Sequence, residues 1–211
     1  MKIALINGSP KAKRSASEVI LSGLRTSFAP ADEVQAFHLA TAVPAERDLL
    51  RLCGCSAFVF AFPLYVDGVP GHLMACLERL GETLKIASPR ERMVYAVCNC
   101  GFYEGKQAHL ALEVMSHWAA RSGLRWGWGL GVGAGGMLAG NASAPLGHGP
   151  QRDLGKALSI LAHDLDAGKV GSDRFVTANL PRAVYKAAGE FGWRQAIKRN
   201  GLRAKDLDTK R

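Results

Sequence analysis

The sequence predicts a doubly wound α/β domain, a five-stranded parallel sheet with helices on both faces, followed by a basic helical C-terminal extension. Three observations predict it. Five short apolar runs recur within the first 132 residues. Stretches with a three-to-four-residue apolar period lie between them. Several of the runs end in turns rich in Gly, Pro, Asn or Ser. Strands alternating with helices pair in parallel through right-handed crossovers. The 211 residues suffice for one such core.

The first strand is read at Lys2–Asn7, a short apolar run that ends in a turn. A helix follows at Ser17–Phe28, with Ile20, Leu24 and Phe28 on one face. The second strand, Glu33–His38, is the weaker pattern. The third, Ser56–Phe62, is nearly all apolar, as a strand covered on both faces should be. Val69–Leu80 aligns Val69, Leu73, Cys76 or Leu77, and Leu80 along a helix. The fourth strand is Arg92–Asn99, and the helix after it, Tyr103–Ser122, aligns Ala108, Leu112, Met115 and Ala119. Arg125–Val132 is the fifth strand, interrupted by glycines. A loop rich in Gly, Ala, Ser and Pro spans 133–150. Beyond it come a helix at Asp153–Ala167 and another started by Pro181. The division expected is 1–170 for the sheet domain and 171–211 for the extension, packed on the same domain.

Composition narrows the function. Hydrophobic residues make up 48% and charged residues 21%, an ordinary soluble balance. The apolar run at the N-terminus is too short for a secretory signal. The long uncharged stretch from Trp126 to Gly147 is too rich in glycine, with Asn141, Ser143 and Pro145, to read as a membrane span. Five cysteines, an odd number without a signal, fit reduced thiols in the cytoplasm. Cys53/Cys55 and Cys98/Cys100 lack the two-residue spacer of common metal-ligand pairs and sit beside buried strands, so they read as small core residues. The formal charge is +9, and the segment from Pro181 to Arg211, with nine Lys/Arg against three Asp/Glu, carries +6 of it. Such a surplus attracts anions. No nucleic-acid motif accompanies it, and no nucleic-acid partner is expected.

In an open α/β sheet, ligands bind at the carboxyl ends of the strands, where the strand order reverses. After the first strand comes Asn7-Gly8-Ser9-Pro10-Lys11-Ala12-Lys13-Arg14-Ser15-Ala16-Ser17. Gly8 allows a tight turn, three serines offer hydroxyls, three cations add charge, and a helix N-terminus offers unpaired N–H groups. Together they make a phosphate cradle. It lacks the Gly-x-x-x-x-Gly-Lys-Ser/Thr pattern of the triphosphate loop. After the third strand, Pro63-Leu64-Tyr65-Val66-Asp67-Gly68-Val69-Pro70-Gly71 can lay a ring and backbone amides on a flat heterocycle. After the fourth, Cys98-Asn99-Cys100-Gly101-Phe102-Tyr103-Glu104-Gly105 lets the backbone approach a ligand at Gly101 and places Phe102 to cover one. Gly131-Val132-Gly133-Ala134-Gly135-Gly136 matches the dinucleotide fingerprint in letters, but 137–145 makes a poor helix after it, so a loop beside the ligand or at a subunit interface is expected. His148, on the same loop, reads as a surface histidine or a substrate contact.

These three loops together resemble the NAD(P)H-dependent FMN reductase family of the flavodoxin-like superfamily. Pro181-Arg182, Tyr185, Trp193-Arg194 and Asn200-Gly201-Leu202 resemble a bacterial subgroup of it. The resemblance runs over most of the chain. It implies the strand order 2-1-3-4-5. It implies an FMN phosphate held at Ser9, Lys11, Ser15, Ala16 and Ser17. It places the isoalloxazine ring against Pro63, Leu64, Tyr65 and Val66, with Asn99, Cys100, Gly101 and Phe102 on the other side. It implies NADH or NADPH as electron donor, a quinone, free flavin or nitro compound as acceptor, and a homodimer or homotetramer. Iron–sulfur relatives carry a cysteine cluster after the third strand, which this chain lacks, so no cluster is expected. The flavin would do the chemistry, so no side chain is assigned an acid–base role; Tyr65 is the candidate for orienting an acceptor. The competing readings are a flavodoxin-type electron carrier docking a protein partner, and a module whose flavin site has decayed.

Overall fold

The computed structural model describes residues 1–11, 13–87, 91–140, 146–203 and 206. By contact the chain divides into Met1–Ala178 and Asn179–Arg211.

Met1–Ala178 is built on a parallel sheet ordered β2-β1-β3-β4-β5-β6. Its strands are β1 (Lys2–Asn7), β2 (Glu33–His38), β3 (Ala57–Pro63), β4 (Met93–Asn99), β5 (Arg125–Val132) and β6 (Arg174–Val176). The first five take the order 2-1-3-4-5. The expectation of five strands is corrected by β6, which pairs Leu130 with Arg174, Gly131 with Phe175 and Val132 with Val176. The sixth strand has only three residues and an exposed Phe175. It is held by tertiary bonds: the Asp173 carboxylate accepts from Gly129 N at 2.7 Å, and Gly133 N donates to Val176 O at 2.9 Å.

The helices are α1 (Ala16–Arg25), α2 (Glu46–Cys53), α3 (Gly71–Ile86), α4 (His109–Arg121), α5 (Gly135–Gly140), α6 (Arg152–Asp166) and, in the second unit, α7 (Arg182–Arg199). A 3₁₀ turn at Gly105–Ala108 leads into α4, where one continuous helix from Tyr103 is expected. Two helices have no counterpart in the sequence expectations. The eight-residue α2 buries Leu49 and Leu52. The six-residue α5 corrects the reading of 137–140 as non-helical. Residues 141–145 of the glycine-rich loop, and most of the C-terminal end, lie outside the described residues.

Alternation along the strands builds two cores. Ala4 and Ile6 of β1, Phe58, Phe60 and Phe62 of β3, and Val94, Ala96 and Cys98 of β4 face the layer of α2, α3 and α4. Ile3 and Leu5, Val59 and Ala61, and Tyr95 and Val97 face α1 and α6. Of the two Cys-x-Cys pairs, Cys55, Cys98 and Cys100 are buried, which supports their reading as core residues, and Cys53 is half-buried; Cys76 is buried too.

Tyr95 shows what the second layer demands of a polar group. Its hydroxyl donates to the main-chain oxygens of Asp164 at 3.1 Å and Lys169 at 2.6 Å, which ties β4 to the end of α6. Burial, with the Asp164 carboxylate second, pushes its pKa up to about 12. The unfolded value is about 10. A folded pKa raised in this way leaves the tyrosine's contribution intact below pH ~10 and removes it as pH rises through about 12. The melting temperature is therefore expected to fall across that window. Tyr95→Phe should flatten the upper part of the fall, while costing about 1–2 kcal/mol at neutral pH by removing the hydroxyl's bonds to Lys169 O and to Asp164 O, the latter still held by Lys169 N. Melting curves of both proteins from pH 7 to 12 check this; parallel curves would refute it.

Candidate functional site

The carboxyl ends of β1, β3 and β4 bring three loops together. Asn7 closes β1 and organises the first. Its side-chain oxygen accepts from Ser9 N at 3.0 Å, and its amide reaches Ser15 Oγ at 3.4 Å. Ser9 Oγ accepts from Lys11 N at 3.3 Å. Ser15 is extended (φ −83°, ψ 151°) and caps α1 by accepting from Glu18 N at 3.0 Å. The Glu18 carboxylate reaches back to Arg14 N at 2.8 Å. This variant of the capping box shifts the reciprocal bond one residue outward. Val19 N binds Ser15 O, so the third and fourth amides of the helix are satisfied. The amides of Ala16 and Ser17 find no acceptor among the described residues. Two N–H groups at the positive end of a ten-residue helix are thus available to an anion.

The five residues expected around a phosphate differ in what they present. Lys11 is exposed, as are Lys13 and Arg14. Ser9, Ser15 and Ser17 are buried. Ser17 Oγ accepts from Asn99 Nδ2 at 3.0 Å, so its hydroxyl faces the protein and its amide is the group offered outward. Ala16 likewise offers its amide.

The second loop is a two-residue hairpin. Tyr65 and Gly68 exchange both backbone bonds at 3.1 Å, with Val66 (φ 49°) and Asp67 (φ 57°) at the tip. A turn with both central residues left-handed favours Asn-Gly or Asp-Gly, and a β-branched residue there is strained. Val66 is also fully exposed (102%). Val66→Asn is expected to stabilise the protein by about 1 kcal/mol, a melting rise of roughly 2–4 °C. An unchanged or lower melting temperature would show that the turn is unstrained. Strain of this kind persists at binding loops, where the conformation serves something besides folding.

The third loop is locked from beneath. Asn99 Nδ2 donates to both Ser17 Oγ and Phe62 O (2.9 Å), and Asn99 O accepts from Leu64 N at 2.8 Å. One buried side chain therefore joins β4, the end of β3 and the N-terminus of α1. Cys100 N binds Val132 O at 2.9 Å. Burial pushes the Cys98 and Cys100 thiols up, so both stay protonated and neither acts as a nucleophile. A side chain on Gly101 would meet open space, and Phe102 is 54% exposed. The surface above the strand ends is thus edged by Tyr65 and Val66 on one loop and by Gly101 and Phe102 on another. Pro63 and Leu64 are half-buried beneath the hairpin.

Residues 133–135 serve this third loop. Gly133 N binds Val176 O, Ala134 N binds Phe102 O at 2.6 Å, and Gly135 N binds Cys100 O at 2.7 Å. A helix does follow, yet each of these amides is spent on a carbonyl, so the segment offers none of them to a pyrophosphate. A Cβ on Gly133 would lie 2.1 Å from Tyr103 O, so this glycine is required by close backbone approach. The sequence places the segment beside a ligand or at a subunit interface; the structure makes it a support of the third loop. His148 is exposed.

A groove of about 990 Å³ lies elsewhere, between α1 and α6, lined by Lys13, Arg14, Glu18 and Lys156 among others. It shares the edge of the phosphate loop but none of the residues after β3 and β4. The strand-end surface is the better site, because it combines open amides, flat apolar cover and a convergence of three loops at the point of strand-order reversal. Among the described residues there is no group of three metal-ligating side chains, and no helix is long and apolar enough to cross a membrane.

No protein-family model matches the chain, and no curated protein matches it. Solved structures do. The NAD(P)H:quinone oxidoreductase from Methanothermobacter marburgensis is 14% identical, with a TM-score of 0.55, covering 79% of this chain and 96% of that one. The flavodoxin of Streptococcus pneumonia TIGR4 is 13% identical, with a TM-score of 0.54, covering 80% and 99%. The flavodoxin, WrbA-like protein from Agrobacterium tumefaciens is 14% identical, with a TM-score of 0.53, covering 79% and 95%. At such identities the likeness establishes the fold, which is flavodoxin-like.

Proposed function

We propose that this flavodoxin-like chain is an FMN-dependent oxidoreductase that passes electrons from NADH or NADPH to a small acceptor such as a quinone, a free flavin or a nitro compound. The observation that carries the reading is the convergence at Asn99. One buried amide fixes a helix N-terminus with two open N–H groups beside two loops edged by exposed flat or apolar side chains. A monophosphate joined to a planar ring has those two requirements, so the residues present fit the group.

The roles divide along the loops. The amides of Ala16 and Ser17, the Ser15 cap and the Lys11 ammonium would hold the phosphate, and Ser9 shapes the turn that presents them. Pro63, Leu64, Tyr65 and Val66 would cover the ring from one side, and Asn99, Cys100, Gly101 and Phe102 from the other. When bound, FMN supplies hydride acceptance and electron release that no side chain here provides. The residues of this chain bind, orient and shield; none is placed as a general acid or base. Tyr65, 44% exposed at the edge of the site, would orient an acceptor. The quinone oxidoreductase among the structural neighbours supports the choice of acceptor class. The reading includes a homodimer or homotetramer in the cytoplasm.

The test is spectroscopic. The protein, purified or mixed with FMN, should show a bound-flavin spectrum. That spectrum should bleach under anaerobic NADH or NADPH and return on adding a quinone. Bleaching only through a separate reductase protein would favour the electron carrier. Absence of affinity for FMN would end the redox assignment.

A further inference from the structure

Two histidines outside the three loops touch the first of them. His38 ends β2, and its Nε2 lies 2.8 Å from Ser9 O. His72 is the second residue of α3, and its Nε2 lies 3.2 Å from Gly8 O. A carbonyl oxygen only accepts, so in both rings Nε2 carries the hydrogen and donates. Two consecutive carbonyls of the phosphate loop are therefore gripped by imidazoles that arrive 29 and 64 residues away in sequence, from opposite sides of β1.

We infer that His38 and His72 are positioning residues that hold the Gly8 and Ser9 carbonyls turned away from the anion site, so that an anion at the open amides of Ala16 and Ser17 does not meet the oxygen lone pairs of the loop between Asn7 and α1. The geometry favours this over incidental contact. An anion site must turn carbonyls away, and a loop of this kind can turn by peptide flips unless something holds it. The loop's own bonds restrain its amides: Ser9 N to Asn7 Oδ1, Lys11 N to Ser9 Oγ, and Gly8 N to Ala61 O. Among the described residues no bond within the loop restrains the Gly8 and Ser9 carbonyls, and the two histidines do. Gly8 adds a steric stop, since a Cβ there would lie 2.5 Å from Leu73 Cδ2, on the residue next to His72. His72 also follows the Val66 hairpin by one short segment. The same imidazole thus fixes the distance between the loop that would take a phosphate and the loop that would take a ring. Neither side chain is needed for the core, since His38 is exposed and His72 half-buried.

That the anion is the FMN phosphate rests on the proposed function; the clamp on the carbonyls does not. The test uses the full chain with His38→Leu, His72→Leu and the double replacement, and with His38→Gln and His72→Gln, whose amide can still donate. Without added nucleotide, exchange of the Ser9 and Lys11 amides should quicken about tenfold in each leucine variant and return to within about threefold in the glutamine variants. The FMN dissociation constant should rise roughly tenfold per leucine, while that for riboflavin, which has no phosphate, changes less than about twofold. Unaltered exchange, equal weakening of FMN and riboflavin, or glutamine variants no better than leucine would each overturn the clamp. If wild type binds neither flavin while exchange responds as expected, the clamp stands and the flavin reading falls.

Discussion

Asn99→Asp is expected to purify without bound flavin and to melt some 5–15 °C below wild type. Asn99 is 6% exposed, and its Nδ2 donates to both Ser17 Oγ and Phe62 O. Aspartate is nearly isosteric, so packing is preserved and only hydrogen-bond polarity changes. An ionised carboxylate would face the Phe62 carbonyl with no donor between them. A protonated one could donate to a single partner and would raise its own pKa to do so. Either way a buried polar group is left mispaired, which costs about 2–4 kcal/mol. The functional loss should exceed the stability loss, because the same atom aligns α1 with the ends of β3 and β4. FMN affinity is expected to fall by about a hundredfold or more, twice the logarithmic effect of losing one ordinary hydrogen bond. Calorimetry and a flavin titration on Asn99→Asp and Asn99→Ala check both halves. A wild-type melting point with wild-type affinity would remove Asn99 from the centre of the site.

How much of this was legible in the sequence follows from what holds each element. The central strands are covered on both faces, so they read as unbroken apolar runs. The expected bounds hold at β1, at the glycine-interrupted β5 and at the half-exposed edge strand β2, and shift by a single residue at β3 and at the start of β4. Elements held by tertiary contact carry no such signature. The short α2 starts at Ala45 without a side-chain cap and offers only Leu49 and Leu52 to the core. Strand β6 is held because Asp173 captures Gly129 N and because Gly133 N binds Val176 O. Helix α5 has glycine at both ends and is anchored by Leu138. No periodicity can appear in three or six residues.

The candidate site divides the same way. Serines and lysines ahead of a helix are a local pattern, and local patterns can be read. The sequence cannot say which part of each residue faces outward. Ser17 was expected to offer a hydroxyl and offers an amide, because Asn99, 82 residues away, takes the hydroxyl. The support from Ala134 and Gly135, and the grip of His38 and His72, are also long-range. A histidine bonded to a distant carbonyl looks, in one dimension, like any surface histidine.

Ala16→Pro separates the two duties of the α1 N-terminus and is expected to abolish tight FMN binding in a protein that is as stable as wild type. Ala16 is the first helical residue after the Ser15 cap. Proline is favoured there, since its fixed φ suits the helix and the N–H it lacks has no partner within it. The restriction proline puts on the residue before it is already met, because Ser15 is extended at φ −83° and ψ 151°. Folding therefore loses nothing, and the unfolded chain loses entropy, for a change within about 1 kcal/mol of zero or slightly stabilising. Binding of the proposed phosphate loses one of the two amides that are open at this helix among the described residues, and charge-assisted bonds of that kind are worth about 1.5–3 kcal/mol. The ring also places carbon where the phosphate oxygen would rest. FMN affinity should drop by about ten- to a hundredfold or more, and riboflavin affinity should not. The comparison between these two ligands decides the matter. A loss for both would mean that the proline distorted the loop, and a loss for neither would mean that the phosphate does not sit at this helix.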